Sequence, residues 1–585
     1  MKTEQRTTRG TALLIPCSYL TTEGNKTGSW RFLRPKYDYK NAPCSVACPA
    51  AEDISRVQML TAQGLFKEAW ETILQENPLP GICGRVCYHP CESVCNRHEF
   101  DEAVAIHVIE RFLSDTAIRY DLKPSLERMP AKSPKIAVIG AGPSGLAAAY
   151  FLTRLGYSAE VFEAASEPGG VLRWGIPPYR LPLAVLKHHL ALLQEFGVRI
   201  HCNRAVDRSF LQRAHEHFDA IYLGCGHSGA VDLGIPGTGL NGVQDGLEFL
   251  RQVRLGKANP LQGAVAVIGG GNTAIDVARA AARLGGKPLV IYRRRRQDMP
   301  AFTDEIEAAL EEGVELLELH TPVKIERHGD FLEVVLQKMK VSGEDRQGRA
   351  FVVPDGNRGR EIQVHHLFKA IGAAASEDWY EPPKKGRGHL RLSNCVFSHR
   401  LKGIPLVYGG DLVADIKSVV HAVASGKQAA MALDAYFSEG PQAIKPRLQA
   451  AVVGHGPSLS MEVYLGGPRS QRNQLTVGFQ DLNTDYFLFA ERISQPRLLP
   501  HERLQSFAEI DLKIAANVAI REAERCFNCG LCNHCDNCRL FCPDLAVNFD
   551  SSSQTRAINY DYCKGCGLCV VECPRNAMSL EEESA

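Results

Sequence analysis

No apolar run in this 585-residue chain approaches the roughly 20 residues that a membrane-spanning helix needs. The polar start Met1–Gly10 has no apolar core of the kind a secretory signal carries, so a cytoplasmic location without a membrane span is the expectation. An excess of either charge is missing as well, because 67 Lys and Arg oppose 66 Asp and Glu for a formal net charge of +1. That balance gives no pull toward nucleic acid or an anionic bilayer, and no nucleic-acid partner is expected. The middle of the chain lacks a close cysteine pair, since Cys202, Cys225 and Cys395 stand alone, which argues against disulfide exchange there. No Ser/His/Asp constellation stands out either, and the 19 histidines read as surface or structural residues.

What is present is unevenly spread. The length calls for several domains, each with its own core. Of 20 cysteines, six fall between Cys44 and Cys95 and ten between Cys526 and Cys573, with a cysteine-poor stretch between. Two compact groups point to metal centres in a reducing compartment rather than to a disulfide framework.

Within the cysteine-poor stretch, Lys135–Ile139 reads as a buried parallel strand running into Gly140-Ala-Gly142-Pro143-Ser144-Gly145 and an apolar helix from Leu146 to Leu155. Strand, glycine turn and helix in that order form a dinucleotide-binding fingerprint: the glycines allow a tight turn and close backbone approach, and the helix start receives the pyrophosphate charge. About 20 residues further on, Glu163 ends a second strand, where a carboxylate bonds an adenosine ribose. A second unit repeats the pattern, with strand Ala264–Ile268, turn Gly269-Gly270-Gly271-Asn272-Thr273, helix Ile275–Leu284 and strand Pro288–Tyr292. The run Arg293-Arg294-Arg295-Arg296 then stands where an NAD site usually has an acid, which favours NADP and its 2′-phosphate over NAD, though arginines there also tolerate NAD. Gly410 and Asp411 close a later strand ahead of a helix from Ile416 to Leu433, a placement suited to the FAD pyrophosphate–ribitol region or to a helix cap.

The most specific motif lies near the end. Cys563-x2-Cys566-x2-Cys569-x3-Cys573-Pro574 is a bacterial ferredoxin run, and Cys532-x2-Cys535-x2-Cys538-x3-Cys542-Pro543 is its companion. Together they predict two 4Fe–4S clusters, with the fourth cysteine of each run reaching across to the other cluster. Cys526 and Cys529 extend the first run to six thiols, which leaves its opening ligands undecided. At the other end, Cys44-x3-Cys48 precedes a helical stretch from Ile54 to Leu74 and then Cys83-x3-Cys87-x3-Cys91-x3-Cys95. Thiolates gathered this way hold a soft metal, iron–sulfur or zinc, and the paired knuckles typical of structural zinc are missing.

The segments Gly169-Gly170-Val-Leu-Arg173-Trp-Gly-Ile-Pro-Pro-Tyr-Arg-Leu-Pro182, Tyr292–Pro300 and Tyr408–Asp411 resemble the glutamate synthase small-subunit family of FAD- and NADP-dependent oxidoreductases, over about residues 40–440. The resemblance implies an α/β fold, a Rossmann-like FAD core with a nested NAD(P) domain preceded by an α-helical iron–sulfur domain, and the cysteine runs add an α+β ferredoxin domain after it. The resemblance implies a helical cluster domain 44–130, FAD parts 131–235 and 365–440 and an NAD(P) insert 236–364. Outside it stand an extension 1–43, a weakly periodic linker region 441–520 leading into a helix expected over Leu504–Arg525, and a ferredoxin module 521–585. Gly170 and Arg173 would lie along the flavin and Gly372 at the second crossover. At least one amino-terminal 4Fe–4S cluster is implied on Cys48, Cys87 and Cys91, with Glu110 nearest the fourth position. Cys44 and Cys95 match ligands of a second cluster whose upstream partners are replaced here by Tyr37–Ala42, and Cys83 matches a cysteine that is usually not a ligand.

The order of domains resembles the NAD(P)H-oxidoreductase subunits associated with dissimilatory sulfite reductase. The expected function is electron transfer between NAD(P)H, FAD, the clusters and a protein redox partner, sulfite reductase or another multisubunit oxidoreductase. The alternatives are a glutamate synthase small subunit and a scaffold without catalysis.

Overall fold

The computed structural model describes residues 24–227, 229–346, 348–375, 379–381, 389–550 and 555–583. The start Met1–Gly10, on which the expected location leans, lies outside the described residues.

Lys135–Ile139 is buried on both faces after its first residue, as a run of β-branched and small apolar side chains requires. It pairs in parallel with Ser158–Phe162 on one side and Ala220–Leu223 on the other, inside a seven-stranded sheet. The edge Arg199–His201 follows Ser158–Phe162, while Ile404–Gly409 adds in parallel beyond Ala220–Leu223 and carries two antiparallel strands outside it. The helices Pro143–Arg154 and Val419–Glu439 pack closely on one another, because Gly426 has no side chain and a Cβ there would collide with the Ser144 carbonyl oxygen.

A second parallel sheet is inserted in this unit, in the order Glu315–Glu318, Lys287–Tyr292, Ala264–Ile268, His366–Lys369, Val243–Asp245. An antiparallel sheet of three long strands from His320 to Val364 covers one of its faces. The chain enters and leaves the insert along one two-stranded ribbon, Gly229–Ala230 against Ala373–Ala374. His366–Lys369 hydrogen-bonds within the second sheet, so the insert runs past residue 364 and the first unit does not resume at 365.

Several expectations outside these sheets are corrected. The helical stretch Ile54–Leu74 is two helices, Ile54–Ala62 and Phe66–Leu74, broken where Gly64 takes a φ of +76°. Of Leu504–Arg525 only Ala516–Glu524 is helical; before it, the Ile510 N–H donates to the Tyr179 carbonyl at 3.1 Å and Arg497 bridges Asp511, which draws the chain out straight. The region 441–520 is no free linker, since Ile444, Met461 and Val477 are buried in the same core as Trp70 and Ile73 of the cluster domain. The extension 1–43 also takes part: Leu33–Tyr37 pairs antiparallel with the last strand Met578–Glu582, with Leu33 opposite Glu582 and Tyr37 opposite Met578. The two ends of the chain therefore share one small sheet.

These pieces meet at a buried ion pair. Lys427, inside helix Val419–Glu439, places its Nζ 2.5 Å from Glu76 Oε2, both side chains 1% exposed. Glu76 also accepts from Ser460 Oγ at 2.5 Å, Met461 N at 2.8 Å and Glu462 N at 3.1 Å. Glu76→Ala leaves a buried ammonium without its partner and should lower stability by about 3–5 kcal/mol, read as an earlier thermal transition. A double Glu76→Leu, Lys427→Met variant should recover much of the loss. An unchanged transition in the single variant would show that the pair does not hold the domains together.

Candidate cofactor-binding sites

The first glycine turn closes on backbone contacts. The Gly140 N–H donates to the Phe162 carbonyl at 2.8 Å, and with φ +98° its Cα is packed against Gly224 and Cys225, where a Cβ would not fit. Gly142 precedes the helix Pro143–Arg154 as its N-cap, and Gly145 lies so near the Gly140 carbonyl oxygen that a side chain is excluded. Glu163 accepts from the Ala141 N–H at 2.8 Å and the Ala165 N–H at 2.9 Å, so its carboxylate stands at the mouth of the turn. Gly170 backs onto Gly142, with space for a Cβ only 2.9 Å from the Gly142 Cα, and Arg173 is held by the Pro168 carbonyl at 2.6 Å and Glu167 at 2.9 Å.

Across the turn, Ser144 Oγ meets Tyr222 Oη, and Gly410 sits against the Ser144 Cβ with its N–H on Ser425 Oγ at 2.8 Å. Asp411 follows in a short 3-10 turn. Burial raises its carboxyl, with Lys417 and His227 opposing that shift. The following helix is capped by Ser418, whose Oγ accepts from the His421 N–H, so Asp411 is not its cap.

The second turn repeats this geometry. Gly269 has φ +146°, Gly270 faces the Tyr292 ring, and Gly271 is the N-cap of helix Asn272–Arg283, with Thr273 in its first turn. Asn272 Oδ1 accepts from the Phe302 N–H at 3.0 Å. The four arginines differ in freedom. Arg295 is bound by Asp298 at 2.8 Å and Glu344 at 2.8 Å, and Arg296 stands 3.7 Å from Glu307. Arg294 uses only its Nε, on the Ala350 carbonyl at 2.8 Å, and Arg293 is exposed without an ion pair or hydrogen bond among the described residues. Gly372, with φ +121°, lies on the returning crossover with open space around it.

A salt bridge links the turns' neighbourhoods: Arg180, on the Gly169–Pro182 segment, bonds both oxygens of Asp276 in the second unit's helix at 3.0 and 2.9 Å.

The cysteines fall into four sets, buried or half-buried except for Cys535 and Cys566, which are exposed. Cys532, Cys535, Cys538 and Cys573 line one cavity, with Tyr37 Oη 3.4 Å from Cys538 Sγ. Cys542, Cys563, Cys566 and Cys569 line another. In the amino-terminal domain, Cys48 and Cys87 stand beside Glu110, and Cys91 beside Cys48 and Cys87. Burial pushes these thiols up, Cys87 to about 12, and burial together with nearby Glu52 raises Glu110. Asn77 Nδ2 donates to Glu52 at 2.8 Å and to Glu110 at 3.2 Å, while burial lifts Glu52 to about 7. Cys83 lies next to Cys87 and Glu110. Cys44 and Cys95 form the fourth set, together with Cys526 and Cys529.

One residue that the sequence reading passed over joins these neighbourhoods. Tyr88, directly after Cys87, stacks on His421 at the start of helix Val419–Glu439 at 5.8 Å and on Phe302 of the inserted unit at 6.0 Å. An aromatic residue following a ligand cysteine was the available signal.

Three family models match along the chain. The pyridine nucleotide-disulphide oxidoreductase family matches residues 134–426, dihydropyrimidine dehydrogenase domain II with its 4Fe–4S cluster matches 36–122, and a 4Fe–4S binding domain matches 556–579. The chain is 31% identical over 525 residues to the NADP(+)-dependent formate dehydrogenase subunit beta of Moorella thermoacetica, covering 84% of this chain and 71% of that one. It is 30% identical over 537 residues to the NADPH-Fe(3+) oxidoreductase subunit beta of Geobacter sulfurreducens, covering 88% and 78%. The glutamate synthase NADPH small chain of Halomonas elongata is 32% identical over 411 residues, or 66% and 86%.

Proposed function

Because the chain belongs to the pyridine nucleotide-disulphide oxidoreductase family, as an FAD-dependent NAD(P)H oxidoreductase with iron–sulfur clusters, we propose that it carries electrons between NADPH and a partner subunit docked at its ferredoxin module. The observation that carries the reading is Tyr88, which ties the Cys87 site to both dinucleotide units by direct ring contact.

The first turn, Gly140, Gly142, Pro143, Ser144 and Gly145, holds the FAD pyrophosphate, and Glu163 takes the adenosine ribose. Gly170 and Arg173 lie along the flavin, with Gly410 and Asp411 on its pyrophosphate–ribitol side and Gly372 at the crossover. The second turn, Gly269 to Thr273, receives NADPH, and Arg293 with Arg294 takes the 2′-phosphate, since Arg295 and Arg296 are engaged by carboxylates. The cofactors supply hydride and one-electron chemistry, while the protein binds, orients and keeps water out. Three 4Fe–4S clusters follow: one on Cys48, Cys87, Cys91 and Glu110, one on Cys532, Cys535, Cys538 and Cys573, and one on Cys542, Cys563, Cys566 and Cys569.

The docking face is proposed at the ferredoxin module, where Leu540, Leu545 and Val571 are 66%, 77% and 65% exposed close to the cysteine loops. Relatives with subunit names support a partner in the same complex. Dissimilatory sulfite reductase is the partner suggested by domain order. A glutamate synthase role is the second reading, favoured by the Halomonas relative. No described helix is long and apolar enough to cross a membrane, and a cytoplasmic site of action is part of the proposal.

Two measurements test this reading. Arg293→Ala with Arg294→Ala should weaken NADPH binding by roughly 10–100-fold, the loss of one or two charge-assisted contacts, and leave NADH binding nearly unchanged. Equal losses for both nucleotides would contradict the 2′-phosphate assignment. Leu545→Asp with Val571→Asp should reduce recovery of the copurifying subunit. Full recovery would place the docking face elsewhere, and a glutamine-hydrolysing large subunit in the complex would favour the second reading.

A further inference from the structure

We propose that Cys44, Cys95, Cys526 and Cys529 hold a fourth 4Fe–4S cluster, built from the two ends of the chain. The proposal rests on the reading of the protein as an iron–sulfur electron carrier and adds a site to it.

The four thiols share one buried place. Cys44 and Cys529 are 8% exposed, and Cys95, Cys526 and Cys529 are the neighbouring ionisable side chains that act on the Cys44 thiol. Two N–H donors point at the sulfurs: Asn96 Nδ2 lies 3.4 Å from Cys529 Sγ, and the Asn528 backbone N–H lies 3.3 Å from Cys526 Sγ. Such donors orient thiolate ligands and stabilise their charge. A buried cysteine often serves only as a small apolar side chain. Four neighbouring thiols, two of them with directed donors, make a ligand set.

The chain spends many contacts on bringing these segments together. Arg97 donates to the Arg525 carbonyl at 2.9 Å, Arg525 reaches Asp101 at 3.0 Å, and the Ala105 N–H donates to Glu522 at 2.8 Å. On the other side the Lys40 N–H donates to the Gly530 carbonyl at 2.9 Å, and Gly530, with φ +73°, leaves a side chain no room against Lys40. Neither Cys526 nor Cys529 lines the two ferredoxin cavities, which have four cysteines each.

Spacing favours a cluster over a single ion. Tetrahedral zinc at about 2.3 Å from each sulfur would draw the sulfurs to about 3.8 Å from one another. Among the described residues, no three cysteine sulfurs lie within 4.8 Å of one another.

Position gives the site its role. Cys44 neighbours Cys91 of the amino-terminal set, and Arg575, 9% exposed, faces Cys526 as well as Cys532, Cys535 and Cys573 of the ferredoxin module. The fourth cluster therefore stands between the amino-terminal cluster and the ferredoxin pair, as the link that joins the flavin side to the exit.

The test uses the full-length protein purified without oxygen, with iron, zinc, acid-labile sulfide and bound flavin measured on one sample. About 16 iron per chain is expected, four per cluster, against about 12 without the fourth site. Cys95→Ala, and separately Cys526→Ala with Cys529→Ala, should each lose about 4 iron and the same component of the reduced-state EPR spectrum, and the triple variant should lose no more. Wild-type protein with about 12 iron, variants that keep their iron, or zinc in place of the missing iron would each overturn the proposal. If a variant loses its flavin and is misfolded, the wild-type iron content and EPR spin count decide alone. A wild-type sample with flavin but no iron would instead contradict the electron-carrier reading itself.

Discussion

The pairing of Lys427 with Glu76 sets the geometry on which the rest of the molecule depends. An ammonium and a carboxylate that are both out of water are costly unless each hydrogen-bonding position is filled. Here they are filled by four separate parts of the chain. Lys427 comes from the long helix of the first dinucleotide unit and also reaches the Ala50 carbonyl, two residues after Cys48. Glu76 follows the helix Phe66–Leu74 of the helical cluster domain, and its other bonds go to Ser460, Met461 and Glu462. The loop that carries Cys48 is thus fixed against the helix that carries His421, and Tyr88 fills the space between the cluster site and both dinucleotide units.

Closure of the chain on itself is the second constraint. Leu33–Tyr37 and Met578–Glu582 form one ladder, and Tyr37 turns from it to touch Cys538. A ferredoxin module joined by an open linker would sample many positions relative to the flavin unit. Here the segment 441–520 is packed into the first core and the module is held at both ends. Electron carriers gain from such rigidity, because transfer between fixed sites needs no search.

How much of this was legible follows from the range of the interactions. The two glycine turns were readable because each is a local device in which strand, turn and helix are consecutive. The two late cysteine runs were readable as a pair because their spacing is written directly in the chain, and Cys573 lines the cavity of the first run while Cys542 lines that of the second. The meeting of Cys44 and Cys95 with Cys526 and Cys529 was not, since it depends on contacts such as Arg97 to Arg525 between segments more than 400 residues apart. The same holds for His366–Lys369, whose place in the second sheet is set by pairing with Val243–Asp245 and Ala264–Ile268 rather than by its own sequence. Residues 504–515 are polar and apolar in a helix-compatible order, yet the Ile510 and Leu512 N–H groups donate to the Tyr179 and Pro496 carbonyls instead of to carbonyls one helical turn back.

In the proposed function, electrons from NADPH pass through the flavin before they reach the clusters. Rapid mixing of the oxidised protein with NADPH under anaerobic conditions, with flavin absorbance and cluster EPR followed in parallel, tests it most directly. Flavin bleaching should come first, with cluster signals growing as the flavin colour partly returns. Bleaching with no cluster signal at any time, or cluster reduction by NADPH in protein stripped of flavin, would contradict it.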